Sequence, residues 1–253
     1  MGISREFRGD ETRGHSAGVV VSPHRERDAD AVRHGGSAID STLRGWIDSA
    51  VETLGPCEFR RRLWHFAPGV LALGGAVASS LVKAPTHETL ILVLCALALP
   101  VAALCCQRSM RRADERNCLA AILGYSLIVI PLFLIFPSHR ELAMTVAGIV
   151  AFGDGSATMV GMLFGDRKLP WNQHKSWAGA AAFILIGLPL AALTYWFASP
   201  AHPTVEAALL CVAPAVFIAA FVESLPIHLN DNVFVGIAAA ATLIATQGLV
   251  VGW

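Results

Sequence analysis

Residues 141–165 read ELAMTVAGIVAFGDGSATMVGMLFG, an apolar run of bilayer-spanning length with one carboxylate, Asp154, well inside it. On a helix rising about 1.5 Å per residue, Asp154 lies roughly 20 Å from Glu141 and about 16 Å from Gly165. An ionised group at that depth needs a hydrated cavity, a metal or a basic partner, so by default it marks a functional position. The competing reading is a hydrogen-bonded or protonated Asp that only ties helices together. The small residues around it, including the Gly161/Gly165 spacing, suit close helix packing and also let a ligand approach the backbone.

Outward from this segment, apolar stretches of similar length alternate with short polar loops. Seven spans are expected, at 63–82, 89–106, 118–136, 141–165, 177–198, 204–222 and 232–252. The composition agrees: 55% of the 253 residues are hydrophobic, only 15% are charged, and the mean hydropathy is +0.57. An ordinary water-soluble domain is excluded, and the predicted fold class is an all-α integral membrane protein with about seven transmembrane helices. Nineteen Lys plus Arg balance nineteen Asp plus Glu, without the positive excess of a nucleic-acid binder. Of the six cysteines, Cys57, Cys95, Cys105, Cys106, Cys118 and Cys211, none forms a C-x-x-C pair; they read as small hydrophobes.

Residues 1–57 form a polar N-terminal tail and 58–253 the membrane domain. Sixteen of the thirty-eight charges fall in residues 1–52, and most of this tail is expected to be disordered. At 38–54, Ile39, Leu43, Trp46, Ile47, Ala50, Val51 and Leu54 recur at helical spacing opposite Asp40, Arg44, Asp48 and Glu52. An amphipathic helix is predicted there, stopped by Gly55-Pro56 and lying on the membrane or against the protein. With the tail inside, the inner loops hold ten basic residues: Arg60, Arg61, Arg62, Arg108, Arg111, Arg112, Arg116, Arg167, Lys168 and Lys175. The outer loops hold Lys83 and Arg140. The N-terminus is therefore expected inside, with loops 107–117, 166–176 and 223–231 facing the cytoplasm. The tail shows no signal-peptide core and no myristoylation pattern, which points to a prokaryotic inner membrane.

Loop 166–176 carries Asp166, Arg167, Lys168 and Lys175 within reach of the segment that holds Asp154. Topology alone would explain a basic loop. Two further carboxylates on the same face favour chemistry, because Glu223 closes the sixth span and Asp231 opens the seventh. Carboxylates beside Lys and Arg suit a metal-chelated polyphosphate: the acids hold Mg²⁺ and the bases neutralise phosphate oxygens during transfer. Neither a G-x-x-x-x-G-K-[ST] loop nor the protein-kinase motifs occur, so a conventional ATP-binding fold is excluded.

Gly153-Asp154-Gly155-x-Ala157, the Gly161/Gly165 pair, Lys168-x-Pro170 and Lys175-Ser176-x-x-Gly179 together resemble the central signature of the CTP-dependent polyprenol kinase family, which includes dolichol, phytol and CTP-dependent diacylglycerol kinases. Glu58-x-x-Arg61-Arg62-x-x-His65 is similar to that family's entry to its first helix. Val222-Glu223-Ser224-Leu225-Pro226 with Asn230-Asp231-Asn232 resembles its late motif, except that Asn230 stands where phytol-kinase-like members often have the first of two acids.

The resemblance implies transfer of the terminal phosphate of CTP, with Mg²⁺, to the hydroxyl of a lipid alcohol. It assigns Asp154 and Asp231 to metal binding or activation of the alcohol, Lys168 and Lys175 to phosphate neutralisation, and Glu223 to metal or cytidine-ribose contact. Gly153, Gly155, Ser156, Ser176 and Asn232 are the further positions expected at the nucleotide. Arg61, Arg62 and His65 stand second, His65 reading equally well as an interfacial residue. The expected partners are a lipid alcohol, a nucleoside triphosphate and membrane lipids.

Two rival functions are weighed beside this one. A cytidylyltransferase would use the same metal and CTP but attack the α-phosphate, and its His-Gly-Gly and Asp-Arg signature is missing. An ion-coupled secondary transporter would bind its ion at Asp154, and no internal repeat supports it. The acceptor remains open among phytol, farnesol, dolichol-type polyprenols and diacylglycerol, with Ser224-Leu225-Pro226 leaning toward the prenols.

Overall fold

The computed structural model describes residues 44, 45, 47–81, 118–227 and 231–252. The expected span at 89–106, the loop 107–117 and nearly all of the tail lie outside these residues. The chain divides into two units, 1–48 and 49–253, and the second holds everything described below. Within it residues 49–54 are helical and stop at Gly55, whose φ of 79° suits a residue without a Cβ. Pro56 then starts α1 (Pro56–Leu81), a favoured first helical position because its missing N–H would have no partner there.

After α1 come α2 (Cys118–Ile135) and one long helical path from Arg140 to Phe164. That path has three parts: α3 (Arg140–Gly148), a π-helical turn (Ile149–Asp154) and α4 (Gly155–Phe164). A two-stranded antiparallel hairpin, β1 (Lys168–Leu169) and β2 (Asn172–Ser176), follows where sequence reasoning expected a loop. The chain ends in α5 (Trp177–Ala198), α6 (Val205–Ser224) and α7 (Asp231–Val250). Ser176 and Thr204 cap α5 and α6, each hydroxyl accepting from the backbone N–H three residues on.

Among the described residues four helices are long and apolar enough to cross a membrane: Arg140–Phe164, Trp177–Ala198, Val205–Ser224 and Asn232–Val250. They coincide with the last four expected spans. The shorter apolar stretch Ser126–Ile135 lies within the third, and α1 carries Glu58 and three arginines in its first two turns.

Helix α5 is central, packing against α1, α3, the π turn, α4 and α6. Small side chains set these distances. Ala191, Ala198, Ala215, Ala219 and Ala239 are fully buried, as small-residue packing in lipid requires. A Cβ on Gly153 would come within 2.6 Å of the buried Phe183 ring, and one on Gly187 within 3.1 Å of the Gly153 Cα. On the other side, a Cβ on Gly69 would meet Ala151 at 2.8 Å. The π turn is thus clamped between α5 and α1, and π turns of this kind recur at functional sites.

Candidate active site at the hairpin end of the bundle

The hairpin, the end of α4, the start of α5 and the end of α6 surround an open cavity of about 680 Å³. Lys168 reaches it from β1, Lys175 and Ser176 from β2, and Glu223 from the last turn of α6. Residues 48 positions apart thereby meet: the Lys175 ammonium donates to the buried Glu223 carboxylate.

Two side chains fasten the hairpin to the end of α6. Trp171 Nε1 donates to the Ser224 carbonyl (3.1 Å) and hydroxyl (3.2 Å), and Asn172 Nδ2 donates to the carbonyls of Ser224 (3.2 Å) and Leu225 (3.1 Å). Asn172 also turns its Oδ1 back to the His174 N–H at 3.1 Å. Trp171 stacks edge-on against Trp177 with ring centroids 5.7 Å apart. These contacts fix the positions of Lys168 and Lys175 relative to Glu223.

Asp154 ends the π turn one helical turn before Thr158, a residue of the cavity wall. Its carboxylate is buried, accepts a hydrogen bond from Thr158 Oγ1 at 3.3 Å, and lies 3.9 Å from His65 Nδ1 of α1. Glu58 sits two turns earlier on α1 and binds two guanidiniums, Arg61 at 2.9 and 3.0 Å and Arg62 at 2.9 Å. Arg62 precedes the apolar stretch that begins at Leu63. Burial pushes its guanidinium down from its ordinary value and Arg61 adds to this, while Glu58 and Asp154 draw it back up. Asp154 therefore stands between a basic cluster on α1 and the cavity.

The remaining expected site residues divide by their surroundings. Gly153 packs on Phe183 and Gly155 on the Phe66 ring, where a Cβ would meet the ring at 3.2 Å. Ser156 spends its hydroxyl on the carbonyls of Gly153 and Ala182, tying α4 to α5. These three pack helices together. Gly161 and Gly165 do likewise, since a Cβ on Gly161 would lie 3.1 Å from Ser176 Oγ, although both also line the cavity. Asn232 is buried in the first turn of α7. The side chain of Asp231 lies outside the described residues. Among the described residues, no three His, Cys, Asp or Glu side chains gather to hold a metal.

Sequence reasoning passed over Thr158, although its place four residues after Asp154 puts the two on one helix face. It also missed the Trp171 and Asn172 clasp, which joins residues more than fifty positions apart and leaves no local signal.

The chain is 30% identical to the Arabidopsis thaliana protein named phytol kinase 1, chloroplastic, over 191 residues, covering 70% of this chain and 63% of that relative. It is 33% identical to the farnesol kinase, chloroplastic, of the same plant over 134 residues, covering 51% of this chain and 44% of that relative. Its curated relatives are phytol and farnesol kinases. The resemblance to the polyprenol kinase family drawn from the motifs is thereby borne out. The chain spans about half to two thirds of the length of the curated relatives it matches. They are named as chloroplastic plant proteins, which gives no support to the prokaryotic inner membrane expected from the tail. No family model matches the chain, and no solved structure matches it.

Proposed function

We propose that this chain is a membrane lipid-alcohol kinase that transfers the terminal phosphate of CTP to the hydroxyl of a prenol such as phytol or farnesol. The observation that carries this reading is the meeting of Lys168, Lys175 and Glu223 around one cavity, with Asp154 joined to its wall through Thr158. A volume of about 680 Å³ suits a small-molecule ligand. Two lysines and a carboxylate suit a chelated polyphosphate better than an apolar ligand.

In the proposed reaction the prenol oxygen attacks the γ-phosphorus, the bond from that phosphorus to the β–γ bridging oxygen breaks, and CDP leaves with the bond electrons. Lys168 and Lys175 neutralise the phosphate oxygens as charge shifts toward the leaving group. Asp154 or Asp231 accepts the alcohol proton or holds the metal. Mg²⁺ is commonly held by one or two carboxylates plus substrate phosphates and water, and Glu223 in the cavity wall would supply one such carboxylate. When bound, the ion would draw charge from the β- and γ-oxygens. Before the nucleotide arrives, the Glu223 pair holds Lys175 at the cavity.

The proposed orientation puts the tail and the hairpin in the cytoplasm, so the cavity opens toward the nucleotide pool. The apolar helices let the acceptor reach the same end of the bundle with its chain in lipid.

The test uses purified protein in liposomes with Mg²⁺, CTP labelled at either the α- or the γ-phosphate, and phytol, farnesol, a longer polyprenol, diacylglycerol or phosphatidate. Only the γ-label is expected in lipid, with the prenols preferred. Transfer of the α-label to phosphatidate would replace the kinase by a cytidylyltransferase. No transfer from CTP or ATP would overturn the enzymatic reading.

A further inference from the structure

The far end of the bundle from the hairpin holds a second set of buried polar groups that phosphate transfer does not use. Glu141, in the first turn of α3, is only 2% exposed. Its Oε1 accepts from Gln247 Nε2 of α7 at 2.9 Å and lies 3.0 Å from His139 Nδ1. Gln247 Nε2 is also 3.1 Å from that same ring nitrogen, so both neighbours crowd one carboxylate oxygen.

The other oxygens here are without hydrogen-bond partners although they are shut away from solvent: Glu141 Oε2, Thr145 Oγ1 and Gln247 Oε1. Thr145 is fully buried, one turn along from Glu141 on the same face of α3. The amide that bears Gln247 Oε1 is the one bonded to Glu141. Buried polar atoms left unpaired each carry a desolvation penalty of about 1–3 kcal/mol. Several such atoms of one chemical kind in one place imply a ligand that satisfies them together. The Arg140 guanidinium turns to α5, its Nε donating to the Ala198 carbonyl at 3.2 Å.

We propose that this end of the bundle binds a sodium ion, held by Glu141 Oε2, Thr145 Oγ1 and Gln247 Oε1. The donors are a carboxylate, a hydroxyl and an amide oxygen, the hard set that favours an alkali or alkaline-earth cation over a transition metal. A single carboxylate matches a single positive charge in a setting where surplus charge is expensive. The ion joins α3 to α7, and α3 is continuous with the π turn that carries Asp154.

The experiment measures thermal unfolding of the purified full-length protein while choline chloride is replaced by NaCl or KCl at constant ionic strength. Sodium should raise Tm saturably, by about 3–6 °C at ten times its Kd, and more than potassium does. Thr145→Val, nearly the same shape without the oxygen, should move the titration to higher sodium, and Glu141→Gln should abolish the response. Equal Tm values in sodium and choline would overturn the proposal and leave these oxygens to water. An unchanged sodium response in Thr145→Val would overturn it as well, and keeps the test decisive if Glu141→Gln fails to fold.

Discussion

Replacing Lys175 by Gln removes the cation from a pair in which the Glu223 side chain is 6% exposed and the Lys175 side chain 28% exposed. Breaking a fully buried pair by deleting one partner costs about 3–5 kcal/mol, because the surviving charge stays in a poorly solvating place. Water reaches the lysine side here, so a loss of about 2–3 kcal/mol is expected, or roughly 4–12 °C in Tm for a chain of this size. Glu223→Gln should be milder, at about 1 kcal/mol or less, since the ammonium left behind can extend to water. The double variant Lys175→Gln/Glu223→Gln carries neither charge and should return to within about 1 kcal/mol of the parent. Activity should follow another pattern. All three variants should stay impaired with CTP and phytol, because the base proposed to meet the phosphates or the proposed metal carboxylate is gone. Thermal unfolding and γ-label transfer, run on the same four preparations, separate the two effects. A Lys175→Gln protein as stable as the parent would refute the electrostatic argument. A double variant that recovers turnover would show that the pair serves the fold alone.

Asp154→Asn keeps size and hydrogen-bonding capacity but removes the charge, so turnover should fall about 10²–10⁴-fold while the protein still inserts; normal turnover with unchanged Mg²⁺ dependence would reduce Asp154 to a tie between helices. Gly153→Ala places a methyl 2.6 Å from the Phe183 ring and should destabilise by about 1–3 kcal/mol; a parental Tm would refute the close-packing account of the π turn. Lys168→Gln should raise the KM for CTP without inverting topology, and an unchanged KM would leave that residue to membrane orientation. A cysteine at the exposed Gln173 should resist an impermeant reagent in intact cells, and labelling from outside would reverse the proposed orientation.

Hydropathy and helical spacing are properties of neighbouring residues, so the sequence by itself determined the last four spans to within two residues at each end and set Gly55-Pro56 as a break between helices. It also marked Asp154, because a lone carboxylate stands out within an apolar run. Lys168, Lys175 and Glu223 were legible as a chemical inventory on one side of the membrane, through charge and order along the chain. Only the tertiary structure decided that Lys175 meets Glu223, that Asp154 faces His65 and Thr158, and that Trp171 and Asn172 clasp the end of α6. It also decided that Gly153, Gly155 and Ser156, expected at the nucleotide from their place in a motif, sit where helices pack closely. These outcomes depend on helices that approach wherever small side chains face one another, and the pairings they create join residues tens of positions apart. Neither periodicity nor composition carries information over that range, and the same holds for Glu141 and Gln247, 106 residues apart at the other end of the bundle.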